Sequence, residues 1–312
     1  MVNMAKVLYT ENVDPIGPEM LKKAGIEVVM ADRNEEIIEK EMLTADAVVV
    51  RIYELPIPML EKAANLKVVS KHGVGYDNIP VDWCKTHGIA VTVTPGANSQ
   101  SVAEHTIALM MALAKNLAIV TKAYKEKGFA AKNTAPGLEI FGKTLGIIGV
   151  GHIGSRVAKM GMGLGMHVIA YDPYVESVPE GVELVSNKDE VIKNADVLTL
   201  HPVLNEETKN IIGAREIGMM KQGAIFINCG RGPLVDEEAL IKALQEKKLG
   251  GAGLDVTAQE PCDPASPLFA MDNVLLTPHY APTTHESAIN VSRMAAQNIL
   301  DILAGKKPEG LL

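Results

Sequence analysis

The sequence predicts an α/β protein of two domains, each a parallel sheet layered with helices. Three observations carry this: short apolar runs rich in Val, Ile and Leu, segments of helical period between them, and a glycine-rich turn where one such run passes directly into a helix. Continuous apolar runs are what strands buried on both faces of a parallel sheet require. At 312 residues the chain exceeds what one core usually serves.

Before Asn98 the strand candidates are Lys6-Val-Leu-Tyr-Thr, Ala47-Val-Val-Val-Arg, Lys67-Val-Val-Ser and Ile89-Ala-Val-Thr-Val, with helical patterns at 18–24, 34–43 and 58–64. The glycine loop Gly73-Val74-Gly75-Tyr76-Asp77 runs into Asn78-Ile-Pro rather than a long helix, so this half has no dinucleotide fingerprint of its own. From Ser99 the pattern becomes an extended helix, apolar on every side and capped by Ser99 or Ser101, for which burial against a second domain or subunit is expected. Strands follow at Thr144 to Ile148, His167-Val-Ile-Ala-Tyr, Ala195-Asp-Val-Leu-Thr-Leu, Ala224-Ile-Phe-Ile-Asn, Gly251-Ala-Gly-Leu-Asp and Val274-Leu-Leu-Thr-Pro. Interleaved with helices, they make a doubly wound sheet that places ligands beyond the carboxyl ends of its strands. The last helix, 286–304, begins after that sheet is complete and is expected to pack back on the first domain. The expected division is therefore 1–98 with 285–312, and 99–284.

The turn after Ile148 is the most informative stretch. Gly149, Gly151 and Gly154 occupy the G-x-G-x-x-G positions between strand and helix. The first allows the tight turn, the second lets backbone approach a pyrophosphate, and the third lets helix pack on strand; the helix N-terminus offers its free N–H groups to phosphate. The next strand ends at Asp172, eighteen positions beyond Gly154 and close to the spacing of a ribose-binding acid. An acid there repels a 2′-phosphate, so NAD rather than NADP is the expected cofactor.

Composition excludes other classes. The formal charge of −8 argues against nonspecific nucleic-acid binding, which needs basic surface. Apolar runs are short, and the N-terminus lacks the long apolar core of a signal peptide, so no membrane partner and a cytoplasmic location are expected. Cys84, Cys229 and Cys262 form no C-x-x-C pair, and the histidines show no ligand spacing, so neither a disulfide framework nor a metal is expected.

With a nicotinamide assumed, three strand-end residues stand out. Arg231 lies just past Phe226-Ile-Asn-Cys-Gly, where a guanidinium can hold a carboxylate in a bidentate fork and polarise a carbonyl. His279 ends the strand at Val274, a placement suited to proton exchange. Glu260, in the loop after Asp255, orients that imidazole if it reaches it. Taken singly, Arg231 reads better as a surface ion pair, Glu260 as a solvated loop acid and His279 as part of a turn; their co-occurrence downstream of the fingerprint favours chemistry. His105 reads as a packed core residue, and His72, beside the Gly73 loop, as a pocket-lining one.

These motifs together, with the Asn-Cys-Gly-Arg-Gly run, Asp255 through Glu260-Pro261, Pro278-His279, the Gly73 loop and Thr94-Pro-Gly-Ala-Asn, resemble the D-isomer-specific 2-hydroxyacid dehydrogenase family over nearly the whole chain. The resemblance implies two similar domains, Rossmann-like or flavodoxin-like, the cofactor domain inserted in the substrate domain, and a homodimer built around the long helix. It implies that Arg231 binds the carboxylate and carbonyl of a small 2-hydroxy or 2-oxo acid, that His279 is the acid/base, and that Glu260 is its partner. Cofactor contacts carry over to His152, Ile153, Asp172, Pro202, Cys229, Gly230, Arg231 and Asp255, and the backbone of Gly73, Val74 and Gly75 to the neighbourhood of the substrate carboxylate.

Within that family the chain is most similar to D-3-phosphoglycerate dehydrogenases, because Arg51 and Lys71 match the basic residues of their substrate-phosphate pocket; solvated strand ends are the alternative. The sequence departs from the family pattern at His201-Pro202, where the proline comes one place early, and at Tyr280-Ala-Pro-Thr, where a glycine-containing run is usual. Because the sequence ends at Leu312, the C-terminal regulatory domains of longer relatives, and serine feedback through them, are not expected. Two other readings stay open: a hydroxypyruvate, glyoxylate or other 2-oxo acid reductase, and an NAD-sensing binding protein similar to the corepressors that share this fold.

Overall fold

The computed structural model describes residues 4–312. The chain divides into two compact units, residues 4–98 with 283–312, and residues 99–282. Each is built on one sheet in which every strand pairing is parallel.

The first unit contains β1 (Lys6–Tyr9), β2 (Glu27–Met30), β3 (Ala47–Val50), β4 (Val68–Lys71) and β5 (Ala90–Thr92), in the order β2-β1-β3-β4-β5. The period of two along each strand sorts its side chains between two cores. Val7, Tyr9, Val49 and Val68 pack with Leu21, Ala296 and Ile299 on one face. Leu8, Val48, Val50 and Val69 pack with Ile38, Met42, Leu55 and Leu60 on the other. The helix His285–Leu303 supplies the first of these covers. Its N-cap Thr284 accepts from Ser287 N at 3.1 Å, and its buried polar face is fixed by Ser292 Oγ donating to Asp14 O at 2.6 Å and Asn298 Nδ2 donating to Val93 O at 2.8 Å.

The second unit contains β6 (Thr144–Ile148), β7 (His167–Tyr171), β8 (Val182–Leu184), β9 (Val197–Leu200), β10 (Ala224–Asn228), β11 (Leu249–Leu254) and β12 (Val274–Leu276), ordered β12-β11-β10-β9-β6-β7-β8. The chain runs outward from β6 to β8, then crosses to β9 on the other side of β6 and runs outward again. That reversal creates a switch point at the carboxyl ends of β6 and β9. The long helix Ser99–Ala114 lays Val102, Ala103, Leu109 and Met110 on the face formed by Leu145, Ile147, Val197, Ile225 and Ile227. The opposite face packs Leu198, Leu200, Phe226 and Leu254 with Val191, Ile192, Leu240 and Leu244.

The α/β architecture with two parallel sheets matches the expectation; β2 and β8 were not foreseen. Among the described residues no single helix is long and apolar enough to cross a membrane.

Candidate active site

In the second unit, the residues singled out from sequence fall along one edge of the sheet, at the carboxyl ends of adjacent strands. Asp172 follows β7, the glycine turn follows β6, His201-Pro202 follows β9, Cys229 to Arg231 follow β10, Asp255 follows β11, and His279 follows β12. The three glycines of the turn meet three different surroundings. Gly149 has φ +90°, and a Cβ there would lie 2.5 Å from Pro202 N. A Cβ on Gly154 would fall on the carbonyl oxygen of Gly149, whereas one on Gly151 would meet nothing within 4 Å. The turn is therefore packed at its first and third glycines and open at its second, where the helix His152–Gly163 begins. Asp172 braces it, accepting from Val150 N at 2.8 Å through one oxygen and from Tyr174 N at 2.9 Å through the other. An open glycine, a helix N-terminus and a carboxylate on the next strand fit a dinucleotide.

After β10 the backbone folds on itself. Gly230 N donates to Asn228 Oδ1 at 3.0 Å, Asn228 Nδ2 donates to Arg231 O at 2.9 Å, and Arg231 Nη1 donates to Gly230 O at 2.9 Å. The buried Asn228 side chain thus shapes the turn that carries Arg231. Cys229 is no nucleophile: burial first, then the charge of Asp255, pushes its thiol up to about 12 against the opposing hydrogen bond with Thr106.

His279 has φ +52°, a left-handed conformation that costs a non-glycine residue about 1–3 kcal/mol and persists only where its surroundings impose it. Here Asp255, only 1% exposed, imposes it. Its carbonyl accepts from His279 N at 2.8 Å, and its carboxylate accepts from Tyr280 N at 2.7 Å, Ala281 N at 2.9 Å and Thr277 Oγ1 at 2.5 Å. His105 Nε2 lies 3.0 Å from Thr277 Oγ1 and 3.6 Å from Asp255 Oδ1, so the long helix feeds the same network. Sequence reading missed Thr277, Asn228 and this placement of His105; polar residues at the ends of apolar strands were the available signal.

Glu260 Oε2 and His279 Nδ1 are 2.9 Å apart. A carboxylate only accepts, so Nδ1 carries the proton and Nε2 is left as the ring nitrogen for proton exchange. The two side chains are 43% and 42% exposed, and a pair so wet contributes about 0–1 kcal/mol to stability. What it fixes is the ring's tautomer and orientation.

His201 is a different case. Its Nε2 lies 3.1 Å from Thr199 Oγ1, its Nδ1 is buried without a partner, and burial holds its pKa at about 3, so the ring is neutral. Among the described residues no cluster of three or more His, Cys, Asp or Glu could hold a metal.

Arg51, Lys71 and the Gly73 loop belong to the first unit, at the carboxyl ends of β3 and β4. Arg51 is exposed. Lys71 is only 8% exposed, and its ammonium donates to Arg51 O and, at 2.5 Å, to Asn78 Oδ1. Gly73 has φ +147°, and its carbonyl accepts from Thr94 N at 2.9 Å and Thr94 Oγ1 at 3.1 Å. His72 Nε2 is buried without a partner; burial first, then the Arg51 charge, lowers its pKa to about 4.

The family model described as D-isomer specific 2-hydroxyacid dehydrogenase, NAD binding domain, matches residues 107–281. The chain belongs to this family. The match to that family's NAD binding domain falls within the second unit. It is 41% identical to D-3-phosphoglycerate dehydrogenase of Methanocaldococcus jannaschii, over 99% of this chain and 59% of that protein. It is 36% identical to glyoxylate reductase of Korarchaeum cryptofilum, over 90% of this chain and 87% of that protein. The chain thus spans 55–59% of the length of three phosphoglycerate dehydrogenases that it matches. Among solved structures, D-lactate dehydrogenase of Aquifex aeolicus complexed with NAD and lactic acid superposes with a TM-score of 0.85 at 32% identity, covering 96% of each chain.

Proposed function

We propose that this chain interconverts a D-2-hydroxy acid and its 2-oxo acid with NAD, and that the pair it handles best is D-3-phosphoglycerate and 3-phosphohydroxypyruvate. The observation that carries the chemistry is the Glu260–His279 pair on the sheet edge that also bears Arg231 and the glycine turn. Gly151, His152 and Ile153 would hold the pyrophosphate of NAD and Asp172 its adenosine ribose, with Pro202, Cys229, Gly230 and Asp255 as the further contacts that the resemblance implies. Bound NAD supplies the acceptor for the hydride of the substrate's C2. In the oxidative direction His279 Nε2 takes the hydroxyl proton, and the Glu260 carboxylate balances the imidazolium so formed. Arg231 holds the substrate carboxylate and the oxygen that becomes the carbonyl; the Gly73 to Gly75 backbone of the first unit is the further substrate contact that the family resemblance implies. The phosphate is assigned to Arg51, with the charge of Lys71 close behind the Arg51 carbonyl.

Two features support the remainder of the reading. Leu117, Tyr124, Phe129 and Phe141 are 52–78% exposed, an apolar stretch that a second copy would cover in a homodimer. The long phosphoglycerate dehydrogenase relatives support the substrate, and a cytoplasmic setting goes with it.

The deciding experiment compares kcat/KM, with NADH, for 3-phosphohydroxypyruvate, hydroxypyruvate and glyoxylate. A preference for the phosphorylated acid that Arg51→Ala removes supports the assignment. A preference for glyoxylate or hydroxypyruvate favours the reductase reading, which the glyoxylate reductase match over 87% of that protein supports. Stoichiometric NADH binding without turnover of any 2-oxo acid would overturn both.

A further inference from the structure

The segment Arg51-Ile-Tyr53 has an unusual set of partners. It follows β3 and continues into no helix until Ile57, yet side chains of three distant residues take up its backbone polar groups. Glu11, 3% exposed just beyond β1, accepts from Arg51 N at 2.8 Å, Ile52 N at 2.7 Å and Tyr53 N at 2.9 Å. Lys71 Nζ donates to Arg51 O, and Asn78 Nδ2 donates to Tyr53 O at 2.6 Å. Lys71 and Asn78 are themselves joined at 2.5 Å, and Leu55 N donates to Asn78 O at 3.1 Å, closing the bracket.

Burying a carboxylate and an ammonium is unfavourable unless each is fully hydrogen-bonded. Glu11 meets that condition: burial alone would raise its carboxyl, but the Thr10 hydroxyl at 2.7 Å and the three N–H groups outweigh it and hold it below the usual carboxylate range. A short loop does not require two buried charges merely to be held shut. What they achieve is a backbone fixed from both its N–H and its C=O sides, while the side chains of Arg51 and Ile52 remain exposed.

We propose that Glu11, Lys71 and Asn78 are positioning residues for substrate selection: they lock the 51–53 backbone so that the Arg51 guanidinium is presented in one place to the second anionic group of the substrate. This rests on the reading of Arg51 as the phosphate partner. It gives Lys71, which also matches the family's phosphate pocket, a second task in which its ammonium works through the Arg51 carbonyl. A preorganised guanidinium loses less freedom on binding than one on a mobile loop. The gain therefore appears only with a substrate that has a phosphate to bind.

The test is a double-mutant cycle on the full chain, read as the ratio of kcat/KM for 3-phosphohydroxypyruvate to that for hydroxypyruvate. Glu11→Gln keeps the shape but replaces one acceptor oxygen by a donor, opposing an N–H of the loop; a fall of about tenfold in the ratio is expected. The double variant with Arg51→Ala should show no lower ratio than Arg51→Ala alone, because Glu11 acts through Arg51. A fall in the folded fraction scales both substrates equally and leaves the ratio unmoved, so a merely structural role is distinguished. If Glu11→Gln does not fold, Asn78→Ser, which releases Tyr53 O, takes its place with the same expected direction and the same non-additivity. An Arg51→Ala ratio that falls beside an unchanged ratio in the positioning variant, or effects that simply multiply, overturns the positioning role alone. An unchanged Arg51→Ala ratio overturns the phosphate reading and the positioning role with it.

Discussion

Alanine at Gly151 and alanine at Gly154 are the same chemical change three positions apart, and the structure assigns them opposite consequences. At Gly154 the new methyl would sit on the Gly149 carbonyl, so strand and helix must separate. Overpacking of that kind costs about 1–3 kcal/mol, a fall in Tm of about 2–12 °C for a domain of this size. At Gly151 the methyl meets nothing within 4 Å, and the residue's φ of −70° and ψ of −154° are open to alanine. The free protein should therefore unfold within a few degrees of the parent, the cap change being worth about 1 kcal/mol or less. The same methyl would occupy the space through which backbone approaches the pyrophosphate. At NAD concentrations about 100 times the parent's Kd, the parent gains about 2.7 kcal/mol of stability, whereas a variant binding about 100-fold more weakly gains only about 0.4 kcal/mol. Thermal unfolding with and without NAD, backed by calorimetric titration, reads both quantities. A Gly151→Ala protein with the parent's full NAD-induced shift would refute the assigned cradle, and a Gly154→Ala protein with the parent's Tm would refute the packing argument.

Other consequences are as specific. His279→Ala should lower turnover by about 10²–10⁴ with NADH affinity retained; stopped-flow turnover beside fluorescence titration checks both. Asp255→Asn removes a charged acceptor from the turn carrying His279 and should destabilise the protein by about 1.5–3 kcal/mol in urea unfolding. His72 and His201 are neutral when folded, with pKa values of about 4 and about 3, below the ordinary 6.5. Between those values the unfolded chain binds more protons, so stability is retained above about pH 7 and falls as pH drops through 6.5, by at most about 1.4 kcal/mol per pH unit for each histidine. Urea midpoints that stay level from about pH 7 to pH 5 would contradict that burial.

Much of the site was legible because its local signals are strong. Three spaced glycines and an acid eighteen positions on are a chemical requirement written in consecutive residues, and Arg231, Asp255 and His279 follow apolar runs plain enough to mark the strand ends. What escaped has a common cause. Glu27–Met30 and Val182–Leu184 are edge strands with half-exposed or exposed residues, so they lack the continuous apolar run that flags a central strand. Glu11, Asn78 and Thr277 act through hydrogen bonds to residues distant in sequence or across a turn, and His105 through a contact with a residue 172 positions away. No local spacing encodes such partners; only the register of the sheets brings them together.

The interleaved connectivity of the first unit has a consequence for how the molecule is made. Val7, Tyr9, Val49 and Val68 leave the ribosome early, but Ala296 and Ile299, which close over them, come only after residues 99–282 have been synthesised. For that interval the face has Leu21 but lacks the apolar side chains of the helix His285–Leu303. Apolar sheet surface left partly open is prone to aggregation, so the interval before His285–Leu303 emerges is when the chain most needs shielding.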